Sequence, residues 1–175
     1  MLDRRRLLAC LTAIAAPGLV HAAQPVKILF VDTGNTGRSL MAETIARDFA
    51  RRKGLAVAAI SRGLDVDPFD EAPEPNAQAL MAARGLDVTG HLAQLLTPAD
   101  IGHADLILTM TTTHADKVRA MAPGAAGKIH TLAGYATGAE ETIPDAWGKP
   151  MAVYRAVLGQ LDRLVPRAMT KATGG

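Results

Sequence analysis

Lys27-Ile-Leu-Phe-Val-Asp-Thr-Gly-Asn-Thr-Gly-Arg-Ser39 decides the fold. Its apolar first half predicts a buried strand, and the glycines and asparagine that follow predict a tight loop opening a helix at Arg38 and Ser39. A strand, loop and helix in that order build an anion cradle. Successive backbone N–H groups converge on one oxyanion, and the helix adds unpaired N–H groups and the positive end of its dipole. Gly34 and Gly37 are expected to take positive φ and to bring the backbone close to a ligand. Arg38 offers a planar fork for phosphate oxygens. Thr33 and Thr36 complete the loop, and Asn35 and Ser39 are expected to hold its shape by side-chain to backbone hydrogen bonds. An ordinary strand-to-helix turn would use the same glycines and asparagine for geometry alone. The odd residue is Asp32, an acid at the mouth of an anion site.

Outward from this stretch, strands and helices alternate. A helix is expected from Ser39 to about Lys53, with Ala42, Ile45, Ala46, Phe49 and Ala50 at helical spacing and Gly54 as its stop. Val57–Ser61 reads as a second strand, 68–75 as an acidic, proline-rich loop, and 76–83 as a helix ended by Gly85. Thr97 before Pro98 looks like a helix N-cap. Leu106–Met110 is the third strand, Thr111 to His114 caps another helix, and Lys128–Leu132 is the fourth strand. A polar loop over 134–142 follows, and a last helix runs from about Met151 to Met169 with Val153, Val157, Leu158, Leu161 and Leu164 as its stripe. Alternating units predict an α/β domain, a four-stranded parallel sheet covered on both faces. Ligands then belong beyond the C-terminal ends of the strands, where Asp32 to Arg38 lies.

The chain has 175 residues, 49% hydrophobic but only 3% aromatic, which suits one domain with an aliphatic core. Arg4, Arg5 and Arg6 against Asp3 account for the whole formal charge of +2. The rest is neutral, without the basic stripe that nucleic acid requires. Residues 1–22 resemble a signal peptide: a charged start, an apolar run too short to span a bilayer, and a small-residue cleavage pattern at Val20-His21-Ala22. Asp3-Arg-Arg-Arg-Leu-Leu8 resembles a twin-arginine signal. The expectation is an exported, periplasmic domain over 23–175; an N-terminal extension on a cytoplasmic protein is the other reading. The one cysteine, Cys10, lies in this leader. Once it is removed, no disulfide, zinc–thiolate site or cysteine nucleophile is possible.

A second constellation is Ile143-Pro-Asp-Ala-Trp-Gly148. Asp145 on a loop beside the cradle can protonate a leaving group and later deprotonate a water. Trp147 can wall the site and stack on a substrate side chain. Each also has a plainer reading, Asp145 as a turn residue and Trp147 as a satellite of the core. His91, His103, His114 and His130 are scattered without ligand spacing and read as surface or capping residues, so neither metal nor cofactor is expected.

Together these residues resemble the low-molecular-weight protein tyrosine phosphatases, a family that includes bacterial protein arginine phosphatases. The resemblance spans about Val26 to Pro166. It rests on Thr33-Gly-Asn-Thr36, Arg38-Ser39, Met41-Ala-Glu43, His103-Ala-Asp-Leu-Ile-Leu-Thr-Met110, Ile143-Pro-Asp145, Trp147-Gly148 and Tyr154. Thr36 and Trp147-Gly148 resemble the arginine-phosphatase branch. The resemblance implies a three-layer α/β/α sandwich with flavodoxin-like strand order, a phosphate-binding loop over Thr33 to Ser39, Asp145 as general acid and a phosphorylated protein or small oxyanion as partner. It also implies that the family's catalytic Cys is Asp32 here and its second loop Cys is Gly37. Leu40 and Ala146 replace prolines. Without sulfur, attack by a thiolate on phosphorus is closed.

A carboxylate at position 32 would repel a phosphate dianion or occupy the cradle itself. At ~4 Å and an effective dielectric of about 20, two like charges cost roughly 4 kcal/mol, about a thousandfold in affinity. Three functions follow: an exported pseudophosphatase that binds without turnover; an active phosphatase using Asp32 as nucleophile through an aspartyl-phosphate; or an unrelated anion-binding or protein-interaction role. An oxidising periplasm would tend to pair the family's two loop cysteines, which gives their loss in an exported copy a reason.

Overall fold

The computed structural model describes residues 24–174; the leader read over 1–22 lies outside them. Four strands, β1 (Val26–Asp32), β2 (Val57–Gly63), β3 (Leu106–Thr109) and β4 (Ile129–Thr131), form one sheet in the order β2-β1-β3-β4. All three pairings are parallel. β1 is central and buried from Ile28 to Asp32, which explains its unbroken apolar run. The fold is the α/β/α sandwich with flavodoxin-like order that the alternation and the resemblance implied.

Helices cover the two faces unequally. On one face lie α1 (Arg38–Lys53), α2 (Pro75–Ala82), α5 (Leu132–Thr137) and α6 (Met151–Ala172). Their side chains pack on Ile28, Phe30, Ala59 and Leu108. On the other face α3 (Pro98–His103) and α4 (Thr112–Met121) cover Leu29, Val31, Ile107 and Ile129. The termini obey local chemistry. Gly54 closes α1 at φ 64°, in the left-handed region. Thr97 and Asp100 form a capping box on α3, and Thr111 caps α4 by accepting from the His114 N–H.

The fourth strand is shorter than its apolar content suggested. Thr131 Oγ1 accepts from the Gly134 N–H and starts α5 at Leu132. Hence the segment read as a polar loop over 134–142 begins as helix, ended by Gly138 at φ 77°. The last helix also runs past Met169 to Ala172, with Pro166 inside it.

Candidate active site

β1 delivers the loop Thr33–Gly37 to the C-terminal edge of the sheet, and α1 starts directly after it. A cleft of about 260 Å³ opens there. Asp32, Thr33, Gly34, Thr36, Gly37 and Arg38 line it from the loop, and Asp145, Ala146, Trp147 and Tyr154 from the far side. Asp65, Asp67 and Asp70 line it from the segment between β2 and α2. Asn35 and Ser39 stand behind the loop, fully buried.

The loop's backbone geometry differs from the expectation. Gly34 and Gly37 do not take positive φ; Asn35 does, at 60°. Asparagine tolerates this region because its short amide can bond locally. Here the amide bonds further afield than a local loop clasp. Its Nδ2 donates to Ser39 Oγ (3.0 Å) and Ser61 Oγ (2.8 Å), and its Oδ1 accepts from the Gln94 N–H at 3.0 Å. Ser61 Oγ in turn donates to Glu43 at 2.6 Å. His91 Nε2 meets the Asn35 carbonyl at 2.7 Å. The loop is thus held by residues from β2, α1 and the 84–96 segment.

Asp32 is buried, and both its oxygens face the cradle's own donors. Oδ1 accepts from the Asn35 N–H at 2.7 Å and Oδ2 from the Ser39 N–H at 2.9 Å. The carboxylate therefore takes one loop donor and one donor of the α1 N-terminus. Among the described residues, the N–H groups of Gly34, Thr36, Gly37 and Arg38 have no acceptor within the protein. They remain for a ligand.

Arg38 is buried and its fork is already engaged. One nitrogen donates to the Ile143 carbonyl at 3.1 Å, and the other lies 3.2 Å from Asp145 Oδ1. The structure thus brings Asp145, Trp147 and the cradle together across more than 100 residues. Asp145 is exposed, and Trp147 is an open wall rather than a core satellite, at 63% exposure. Tyr154 closes the floor. Burial raises its hydroxyl well above the usual phenol range, and the nearby Glu74 carboxylate acts in the same direction.

Several contributors escaped sequence reading. Gly63 ends β2 opposite Asp32. A Cβ there would sit 2.7 Å from the Thr33 carbonyl oxygen and 2.7 Å from Val66 Cγ2, so only glycine lets the strand end pass the loop. His114 is not a surface cap: it is buried, with Nε2 3.0 Å from Thr33 Oγ1. Burial, then the charge of Arg38, hold its imidazole below the usual histidine range. Among the described residues, no three His, Cys, Asp or Glu side chains are arranged to hold a metal ion.

Residues 27–173 match the family described as "Low molecular weight phosphotyrosine protein phosphatase". The chain is 32% identical over 138 residues to a protein-arginine-phosphatase of Bacillus subtilis (strain 168), covering 79% of this chain and 91% of that protein. It superposes on a YwlE arginine phosphatase mutant with a phosphorylated active site serine at a TM-score of 0.80, with 29% identity over 85% of this chain and 96% of the other. The low molecular weight protein tyrosine phosphatase from T. tengcongensis superposes at 0.77, with 31% identity over 83% and 99% of the two chains.

Proposed function

The chain belongs to the low molecular weight phosphotyrosine protein phosphatase family, and on that premise we propose that it is an exported pseudophosphatase, a phosphoprotein-binding module without turnover. The observation that carries this reading is the bonding of Asp32. The residue stands where the family places its nucleophilic cysteine, and two cradle N–H groups already bind its carboxylate at 2.7 and 2.9 Å. An anion built into the protein occupies part of the site that would receive the substrate's anion. No cysteine exists in 24–175 to act as nucleophile in its place. What survives is recognition: the free N–H groups of Gly34, Thr36, Gly37 and Arg38, the Arg38 guanidinium, and the wall formed by Trp147 and Tyr154. Thr36 and Trp147 favour phosphoarginine beside phosphotyrosine as the group recognised.

A second reading is an active phosphatase in which Asp32 attacks phosphorus and forms an aspartyl-phosphate, with Asp145 protonating the leaving group and later activating water. It is favoured by the similar YwlE mutant, whose active-site serine is phosphorylated, so an oxygen in that fold can accept a phosphoryl group. Each carboxylate oxygen of Asp32 also keeps lone pairs beyond the one its N–H donor uses.

Hydrolysis of p-nitrophenyl phosphate and of phosphoarginine by the native protein, Asp32→Asn and Asp32→Cys, with and without Mg²⁺, separates the two. The binding-module reading expects turnover only in Asp32→Cys. Turnover by native protein that disappears in Asp32→Asn would establish the aspartyl route instead. Export is checked by fractionation: the expected product is periplasmic and lacks 1–22, whereas a cytoplasmic chain with an intact N-terminus contradicts it.

A further inference from the structure

Of the six aromatic side chains in this chain, two stand exposed, and both belong to segments that line the cleft. Trp147 is 63% exposed, and Phe69, at 97%, sits between the cleft-lining Asp67 and Asp70. A chain this poor in aromatics loses apolar burial by leaving them in water. Isolated exposed apolar residues are ordinary, but here one exposed aromatic lines the cleft and the other is within two residues of acids that line it, a combination that suits an interaction surface.

The charges beside them tell what kind of partner fits. Asp65, Asp67 and Asp70 are exposed, and among the described residues none of them pairs with a lysine, arginine or histidine. Elsewhere Asp48, Asp100, Asp116, Asp162 and Glu141 each have an arginine partner, whereas these three acids lie together at one cleft. The cleft has one cation in its lining, Arg38, and that one is committed to Asp145. The rim therefore presents unneutralised negative charge around an anion cradle. Such a rim disfavours small free anions and draws in cations. Aromatic faces suit the same ligands, because guanidinium and ammonium groups stack on them.

We propose that the cleft mouth docks a basic peptide segment of a partner protein, with arginine or lysine side chains against Asp65, Asp67 and Asp70 and stacked on Phe69 and Trp147. This rests on the reading of the cleft as a protein-recognition site. It adds that sequence context around the recognised group must be cationic. The rim then works as a filter: a phosphate group reaches the cradle when basic neighbours carry it past the aspartates.

Trp147 is the only tryptophan in the chain, so its fluorescence reports binding directly. The full chain is titrated with a capped peptide of alternating Ala and Arg, and with its Ala/Glu counterpart, at 20 mM and 300 mM salt. Expected is saturable binding of the arginine peptide, weakened at least tenfold by salt and by the triple change Asp65→Asn, Asp67→Asn, Asp70→Asn, with no response to the glutamate peptide. Asparagine keeps the Oδ1 with which Asp67 accepts from the Phe69 N–H, so the loop is retained, and circular dichroism confirms it. Phe69→Ala, followed by the same fluorescence, should weaken binding several-fold. Absence of arginine-peptide binding to native protein, equal binding by the triple variant, or preference for the glutamate peptide overturns the proposal. Hydrolysis of p-nitrophenyl phosphate by Asp32→Cys needs no rim contact, so a failed rim and a failed phosphatase-site reading give separate results.

Discussion

In the loop from Asp32 to Ser39 the polar side chains of Asp32, Asn35, Arg38 and Ser39 are buried and bonded, Asp32 and Ser39 within the loop itself, Asn35 and Arg38 also to partners from distant segments. In the segment between β2 and α2, Asp65, Asp67 and Asp70 are exposed and, among the described residues, without a cationic partner, and Phe69 lies open between two of them in the chain. One region spends its polar groups on internal structure; the other leaves them for outside contacts. The difference predicts that substitutions in the loop alter stability first, and that substitutions on the rim alter binding alone.

The largest effect is expected at Asn35. Asn35→Ala removes three side-chain hydrogen bonds, leaves the Gln94 N–H without its acceptor, and places alanine at φ 60°. A loss of about 3 kcal/mol or more follows, read as a lower denaturation midpoint in urea at unchanged m. A loss under about 0.5 kcal/mol, the usual range for surface sites, would erase the contrast between loop and rim. Gly63→Ala comes next. Its Cβ would press on the Thr33 carbonyl and Val66, at a cost of about 1–3 kcal/mol on the scale of overpacked sites. Equal stability of the two proteins would mean that β2 does not constrain the loop.

The contrast also governs what could be read from the sequence. β1, α1 and the cradle were legible because a strand, glycine loop and helix start leave a local pattern within 13 residues. Which residues hold the cradle was not, since Ser61, Gln94 and His114 lie 26, 59 and 81 positions from their loop partners. Contacts at such separations leave no period or spacing. Gly34 and Gly37 drew attention as the flexible residues, yet Asn35 makes the left-handed turn. Asp70 reads in the sequence only as part of the acidic, proline-rich loop over 68–75, and Asp65 and Asp67 carry no pattern of their own; the fold sets all three in one cleft with Trp147 and Arg38. Helix α5 was missed because six residues are too few to show a helical stripe.

His114 gives a smaller effect, one that depends on pH. Its folded-state value lies below the ordinary 6.5, because burial and Arg38 disfavour the charged ring more than Asp32 and Asp145 favour it. The stability this reflects is fully present above the unfolded value and is lost as pH falls below it, because the unfolded state then binds the proton more readily. Native protein should therefore lose Tm between pH 7 and pH 5 more steeply than His114→Gln. Parallel curves would show that the histidine is not sensed by folding. The smallest effect is expected on the rim. Asp65→Asn, Asp67→Asn and Asp70→Asn should each shift stability by no more than about 0.5 kcal/mol. A large destabilisation there would make the rim part of the scaffold.

The protein places a carboxylate of its own, Asp32, in the cradle where a ligand's anion would sit. Calorimetric titration with inorganic phosphate at neutral pH, native protein against Asp32→Asn, tests this directly. Asparagine removes the charge and keeps a single acceptor oxygen, so one of the two N–H groups that Asp32 now occupies is freed for the ligand, and phosphate binding should tighten by up to about a thousandfold. Equal binding by the two proteins, or tighter binding by the native one, would contradict the claim.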